Sequence, residues 1–363
     1  MCQCLNMTMR QWNNLLQAAG YKQYVSACSL RILNLELIQM PSKDFRIVFM
    51  GTPEFAVASL KALHESGSNI VAVVTAPDKP AGRGQKLQES DVKRYAKDIH
   101  IPVLQPEKFK DLQFISQLQS FRPDLQVVVA FRMLPEVIWS MPQCGTINLH
   151  ASLLPQYRGA APINWAIING DKKTGVTTFF IEKEIDTGYL IYKEEVDIAE
   201  TDNAGTLHDK LMNAGANLLV KTITAIESGN YPKTSQALAS SEETMLNGAP
   251  KIFKEDCKIN WNKNIDETYN FIRGLCPYPT TWTVFVNQQT NEQISAKIFE
   301  TEKEPSKHSL LPGTIVSDEK RFLKIALKGG FLKIKNLQLE GKKRLDIEEF
   351  LRGFKDIASY RFM

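Results

Sequence analysis

Residues 145–162 read GTINLHASLLPQYRGAAP, and the change of character inside this run decides the fold. Residues 146–150 have the character of a strand, so Asn148 and His150 share one face while Leu149 points to the other. Directly afterwards Pro155, Gly159 and Pro162 interrupt regular structure. An amide and an imidazole therefore stand side by side where a strand runs out into a loop, and in parallel α/β sheets that end of the strands is where ligands bind. Taken alone, an Asn-x-His at a strand end is more often a satisfied polar pair than a catalytic one.

Upstream, the pattern is strand, turn, helix, repeated from Phe45 onward. Residues 46–49 form a short apolar run that Gly51-Thr52-Pro53 ends, and Pro53 suits the first turn of a helix with Phe55, Val57, Leu60 and Leu63 turned inward. Further strands are expected at 70–74, 103–104 and 125–129. Continuous rather than alternating apolar strands imply a sheet covered on both faces, hence an α/β fold with a doubly wound, mostly parallel sheet. The turn after the first strand is GTPEFA and lacks G-x-G-x-x-G, which argues against a nicotinamide or flavin dinucleotide.

Downstream, 162–169 reads as a helix ended by Gly170, and 176–181 as a strand running into EKEIDTG at 182–188. A D-T-G is a common turn in which the Asp caps its own backbone. Its place one helix and one strand after His150 makes Asp186 a candidate site residue. Residues 206–226 form a long amphipathic helix that closes this domain, with His208 read as an ordinary surface or helix-end histidine. The polar, turn-rich stretch 229–250 reads as a linker. Beyond it short strands are expected at 259–261, 282–286, 294–299, 313–316, 322–327 and 331–337. Lys324, Lys328, Lys333 and Lys335 lie opposite the core positions around a Gly329-Gly330 turn. This is the pattern of a small closed antiparallel barrel of the oligonucleotide-binding type, and its lysines either contact nucleic acid or merely solubilise the surface.

The bulk composition agrees with two such domains. The chain has 363 residues, 43% hydrophobic and 23% charged, and lacks the unbroken apolar stretch a membrane span needs. Net charge is +4, and residues 248–363 alone carry 20 Lys+Arg against 15 Asp+Glu, a weak sign of an anionic partner. The six cysteines show no framework spacing and read as free thiols in a reducing, cytoplasmic compartment. Residues 1–44 do not open a domain. An upstream in-frame start, a transit peptide and a small helical extension compete, and Met40 is favoured as the working initiator. Pro77 to Lys86, PDKPAGRGQK, reads as a mobile loop, and residues 79–97 hold six Lys/Arg against Glu89 and Asp91. It is either a solvated loop or a cationic arm that closes on a phosphate backbone.

The run SLLP followed by Arg158-Gly159, together with the Asn-x-His before it, resembles the signature of the 10-formyltetrahydrofolate-dependent formyltransferases. The resemblance covers residues 45 to about 355, and the RGAAP version, the DxPAGRG loop and the closing GKK at 341–343 look like the tRNA-directed branch. It implies a Rossmann-like catalytic domain over 45–228, a linker over 229–250 and an OB-like tRNA-binding domain over 251–363. It implies formylation of the methionine amine on initiator methionyl-tRNA, with 10-formyltetrahydrofolate as donor, no metal, and a monomeric enzyme. By the same resemblance Asn148, His150 and Asp186 are catalytic. Phe131, Leu134 and Pro135 together with Ser152, Leu153, Leu154 and Pro155 bind the pterin. Arg83 meets the tRNA acceptor stem, helped by Lys79, Lys86 and Arg158. The family commonly has Tyr-Gly where this chain has Phe131-Arg132. A formyltransferase acting on an amino-sugar nucleotide is the alternative enzyme. Glycinamide ribonucleotide formyltransferases stop after one domain, and an RNA-binding protein built on the barrel alone would leave Asn148, His150 and Asp186 without a task.

The chemistry asks for donors preset where negative charge develops on the formyl oxygen, each commonly worth about 3 kcal/mol. Asn148 and His150 are the expected donors. Asp186 is expected to take the amine's proton or to hold the imidazole.

Overall fold

A computed structural model describes residues 44–81, 86–239 and 245–363. Strand β1 (Arg46–Gly51) leads through helix α1 (Glu54–Glu65) to β2 (Asn69–Val74). A ribbon of β3 (Lys79–Ala81) and β4 (Lys86–Gln88) follows, then α2 (Asp91–Asp98), β5 (Val103–Leu104), α3 (Leu112–Ser120), β6 (Leu125–Val129), α4 (Glu136–Trp139) and β7 (Thr146–His150). After these come β8 (Arg158–Gly159), α5 (Pro162–Ile168), β9 (Lys173–Phe180), β10 (Leu190–Asp197) and α6 (Ala204–Glu227).

The sheet runs in the order β10-β9-β7-β6-β1-β2-β5. Strands β7, β6, β1, β2 and β5 are parallel, and β9 and β10 add an antiparallel hairpin at one edge. Alternate residues of the parallel strands feed two cores. Ile47, Phe49, Val127, Val129 and Ile147 pack with Leu60 and Leu63 of α1 and Leu211 and Leu218 of α6, whereas Val48, Met50, Val74 and Val128 pack with Leu118 of α3 and Ile138 of α4. The expected doubly wound sheet is therefore present. Strand order turns back between β1 and β6, which puts the switch-point crevice beside the carboxyl ends of β1, β6 and β7.

The second half holds α7 (Gln236–Ala239), β11 (Gly248–Ala249), α8 (Ile265–Gly274), β12 (Thr281–Asn287), β13 (Gln293–Pro305), β14 (Ile315–Ser317), β15 (Leu323–Leu327), β16 (Gly330–Leu339), β17 (Leu345–Asp346), α9 (Ile347–Gly353) and β18 (Tyr360–Phe362). Antiparallel pairing in the order β14-β15-β16-β13-β12-β18, with a bridge between Thr314 and Arg361, brings the sheet close to a closed barrel. Phe285, Ile298, Ile325, Leu332 and Phe362 fill it.

Several expectations change. Residues 259–261 are not a strand: only Lys258 bridges to Trp282, although Ile259 and Trp261 are buried in the barrel core. Helix α8, absent from the sequence reading, is opened by a capping box in which Asn264 and Glu267 exchange side-chain bonds to each other's backbone. Among the described residues, three of the four outward lysines are ion-paired. Lys324 and Lys333 share Glu304 at 2.7 and 3.0 Å, and Lys335 meets Glu302 at 2.6 Å. Within 229–250, the described residues include Thr234, which pairs with Leu190, and β11, which pairs in parallel with β8. The barrel is also docked on the first sheet's helices. Asn164 donates to the Gly274 carbonyl at 2.7 Å, and Arg273 donates to the carbonyls of Asp202 and Ala199 at 2.7 and 3.1 Å.

Candidate active site

A cavity of about 680 Å³ opens at the switch point. Its walls come from Pro53 and Phe55 after β1, Ala130 to Leu134 after β6, Asn148 to Ala151 at the end of β7, and Ile181 to Asp186 after β9. Asn148 is half-buried on β7, and its side-chain amide has no hydrogen-bond partner among the described residues. His150 is 7% exposed. Its Nε2 lies 2.9 Å from the Tyr157 carbonyl, which only accepts, so Nε2 carries a proton and donates. Nδ1 then faces Asp186 Oδ2 at 3.8 Å, too long for a hydrogen bond. Asp186 Oδ2 accepts the Gly159 N–H at 3.0 Å, and the residue sits at φ +55.

The loop after β7 is a foundation for this pair. Ser152, Leu153, Leu154 and Pro155 do not line the cavity. Ser152 and Leu154 are fully buried, the Thr177 hydroxyl donates to the Ser152 carbonyl at 2.6 Å, and the Leu154 N–H donates back to Thr177 Oγ1 at 3.1 Å. Apolar burial of Leu154 against Phe179 and Leu190 fastens the loop to the edge hairpin. At Tyr157 the backbone turns left-handed with φ +59, aiming its carbonyl at His150. The phenol donates to Asp171 Oδ2 at 2.6 Å and accepts from Asn169 at 3.1 Å. Burial first, then the Asp171 carboxylate, pushes this phenol up to about 12.

The wall after β6 departs from expectation in one respect. Phe131 and Leu134 line the cavity, whereas Pro135 is the N-cap of α4 and lies outside the lining. The left-handed backbone position is Ala130, at φ +47, so the glycine missing at Arg132 is not needed for the turn. Arg132 instead lies over the Phe109 ring at 4.0 Å and donates to the carbonyls of Pro106 and Glu107. Burial pulls this guanidinium down from its ordinary value.

Residues 45–223 match the formyl transferase family, and residues 251–355 match the formyl transferase C-terminal domain. The chain belongs to the formyl transferase family. A methionyl-tRNA formyltransferase of Bacteroides fragilis is 56% identical over 318 residues, spanning 87% of this chain and 97% of that protein. One of Parabacteroides distasonis is 52% identical over 322 residues, spanning 88% and 99%. Among solved structures, an N-formyltransferase of Helicobacter canadensis, in complex with folinic acid and dTDP-3-aminofucose, shares the fold at a TM-score of 0.56 and 21% identity. The match covers 82% of this chain and 99% of that one.

This formyltransferase keeps its expected tRNA-facing residues in different states. Arg83 and the side chain of Lys86 lie outside the described residues. Lys79 is exposed on β3 opposite Gln88, so the described part of the expected loop is a two-stranded ribbon. Further along, Lys93 pairs with Asp78 at 2.6 Å, Lys97 with Glu89 at 3.0 Å, and Arg94 with Asp91, which neutralises much of the segment's charge. Arg158 turns inward. It is half-buried and donates from Nε and Nη2 to Gln236 Oε1 at 3.1 and 2.6 Å. His208, read as an ordinary histidine, lines the cavity with its ring edge-on to Phe55 at 5.2 Å. Among the described residues no group of three or more His, Cys, Asp or Glu is arranged to hold a metal ion.

Proposed function

We propose that this formyltransferase moves the formyl group of 10-formyltetrahydrofolate to the α-amine of methionine on initiator methionyl-tRNA, the cytoplasmic step before translation initiation. The observation that carries this reading is identity above 50% over nearly the whole length of relatives named for that reaction, barrel included. The cavity suits a flat heterocycle: it has apolar walls in Phe131, Leu134, Trp139 and Ile181, and backbone polar groups at the left-handed turn of Ala130. The donor supplies a formyl group on nitrogen, and the protein supplies position, hydrogen bonds and a proton acceptor.

Asn148 is the preset donor to the formyl oxygen, since its NH₂ has no competing partner among the described residues and lines the cavity. His150 works through Nδ1, because Nε2–H is committed to the Tyr157 carbonyl. That ring atom lies 3.8 Å from Asp186 Oδ2, so imidazole and carboxylate together take the proton that leaves the amine. Asp186 Oδ1 has no hydrogen bond among the described residues and is the free acceptor. Residues 45–228 act as the catalytic domain and 251–363 as the tRNA-binding barrel. Phe131 and Leu134 contact the pterin, with the SLLP loop behind them as support. Lys79, Arg83 and Lys86 contact the acceptor stem.

The test is a transfer assay with 10-formyltetrahydrofolate and two acceptors, charged initiator methionyl-tRNA and an amino-sugar nucleotide. Formylation of the tRNA alone is the expected result. Formylation of the sugar nucleotide alone would keep the catalytic reading and overturn the acceptor.

A further inference from the structure

We infer that the described residues leading into the barrel, 234–239 and 245–249, position the catalytic pair, with Gln236 as the positioning residue for Asp186. This rests on the reading of Asp186 and His150 given above. Gln236 is an amide in a polar stretch, yet it is 3% exposed. Its Nε2 donates to the carbonyls of Asp186 and Gly188, both at 2.9 Å, and its Oε1 accepts twice from Arg158 at 3.1 and 2.6 Å. A glutamine amide has two N–H donors and two acceptor lone pairs, so its whole capacity is used.

These four bonds tie α7 to the Asp186 turn and to β8. Gly159 of β8 holds the other end of Asp186, its N–H donating to Oδ2 at 3.0 Å. Asp186 is thus gripped at its carbonyl by Gln236 and at its carboxylate by Gly159. That grip matters because φ +55 is left-handed backbone, uncommon outside glycine though tolerated by aspartate, and these bonds fix the turn there. Gln236 itself does not line the cavity, so its influence passes through Asp186.

The far end of the same segment serves His150. The Asn247 carbonyl accepts the Tyr157 N–H at 2.7 Å, and the Asn247 N–H donates to Gln156 Oε1 at 2.8 Å. Tyr157 is the residue whose carbonyl takes the His150 Nε2–H. Parallel pairing of β11 with β8 runs between these two grips. The described residues 234–239 and 245–249 therefore set both members of the pair, and in sequence they lie between the sheet and the barrel.

The experiment is steady-state formylation kinetics on the full chain, with methionyl-tRNA and 10-formyltetrahydrofolate as substrates. The variants are Gln236→Glu, Gln236→Ala, Arg158→Ala and the Gln236→Ala/Arg158→Ala double, with Asp186→Asn as reference and thermal unfolding as the check on folding. Gln236→Glu keeps the size and the tie to Arg158 but sets a carboxylate oxygen against two carbonyls, so it decides the matter if Gln236→Ala folds poorly. The expected result is a kcat lower by about 10- to 100-fold with both KM values within about twofold of the parent. The double variant should be no worse than the more impaired single, the mark of residues acting as one unit. A folded Gln236→Glu enzyme with parental kcat, beside an inactive Asp186→Asn, would overturn the inference while leaving the catalytic pair intact. So would a raised KM for tRNA at unchanged kcat, which would make the segment a binding surface. An active Asp186→Asn enzyme would overturn the reading of the pair and this inference together.

Discussion

Asn148, His150 and Asp186 differ in what holds them, and the difference sets what each substitution does. Asn148 has no side-chain partner among the described residues, so Asn148→Ala removes only the donor aimed at the cavity. We expect kcat to fall by about 100-fold or more with an unchanged unfolding midpoint, read by kinetics beside thermal unfolding. Tyr157 is the opposite case, its phenol held between Asp171 and Asn169. Its pKa is raised in the folded state above the ordinary value of 10, to about 12. The folded state therefore prefers the protonated phenol, and the stability it contributes is complete below pH 10 and is lost as pH rises toward about 12. Tyr157→Phe should flatten that alkaline limb, measured as urea unfolding against pH. The spacing of Asn148 and His150 was readable because a strand's period of two forces them to one face. Gln236 was not readable, since one glutamine in a polar stretch carries no period, no charge and no motif, and its importance comes from tertiary neighbours alone.

At the scale of elements, β1, β2 and β6 were legible because strands buried on both faces must be apolar throughout, as LQVVV at 125–129 is. Strand β10, LIYKEEVD, was missed for the converse reason. It is an edge strand whose second half is largely exposed, so charge is tolerated there and the apolar signal fades. Helix α8 does carry a signal in the sequence, Asn264 three residues before Glu267. The short pair β8 and β11 could not be foreseen from two residues each, yet it carries the site. Gly159 sits there at φ +126, and a Cβ would lie 2.4 Å from the Ala249 carbonyl oxygen. Gly159→Ala should separate the two strands and release the amide that holds Asp186. The expected cost is roughly 2 to 4 kcal/mol in urea unfolding, with kcat reduced even where the protein remains folded.

At the scale of the whole molecule, buried polar bonds tie the sheet to the barrel. Arg273 is 7% exposed on α8 and spans the junction to the carbonyls of Ala199 and Asp202. Replacing it by methionine leaves those carbonyls unpaired at similar volume. We expect a loss of about 1 to 3 kcal/mol and, in calorimetry, separation of one unfolding transition into two. The cationic surface makes a different prediction. Lys93 and Lys97 beside the ribbon, and Lys324, Lys333 and Lys335 on the barrel, are already paired with acids, and Lys79, Arg83 and Lys86 are the proposed contacts to the acceptor stem. Arg83→Ala should weaken tRNA binding and lower the slope of log affinity against log salt by about one, measured by filter binding. The most direct test of the central claim is single-turnover formylation of pre-bound methionyl-tRNA by His150→Ala at saturating 10-formyltetrahydrofolate. The predicted result is tRNA bound as tightly as by the parent, with transfer slowed by about 100-fold or more. Transfer at the parental rate would contradict the account and leave the Asn148, His150 and Asp186 cluster without its chemistry.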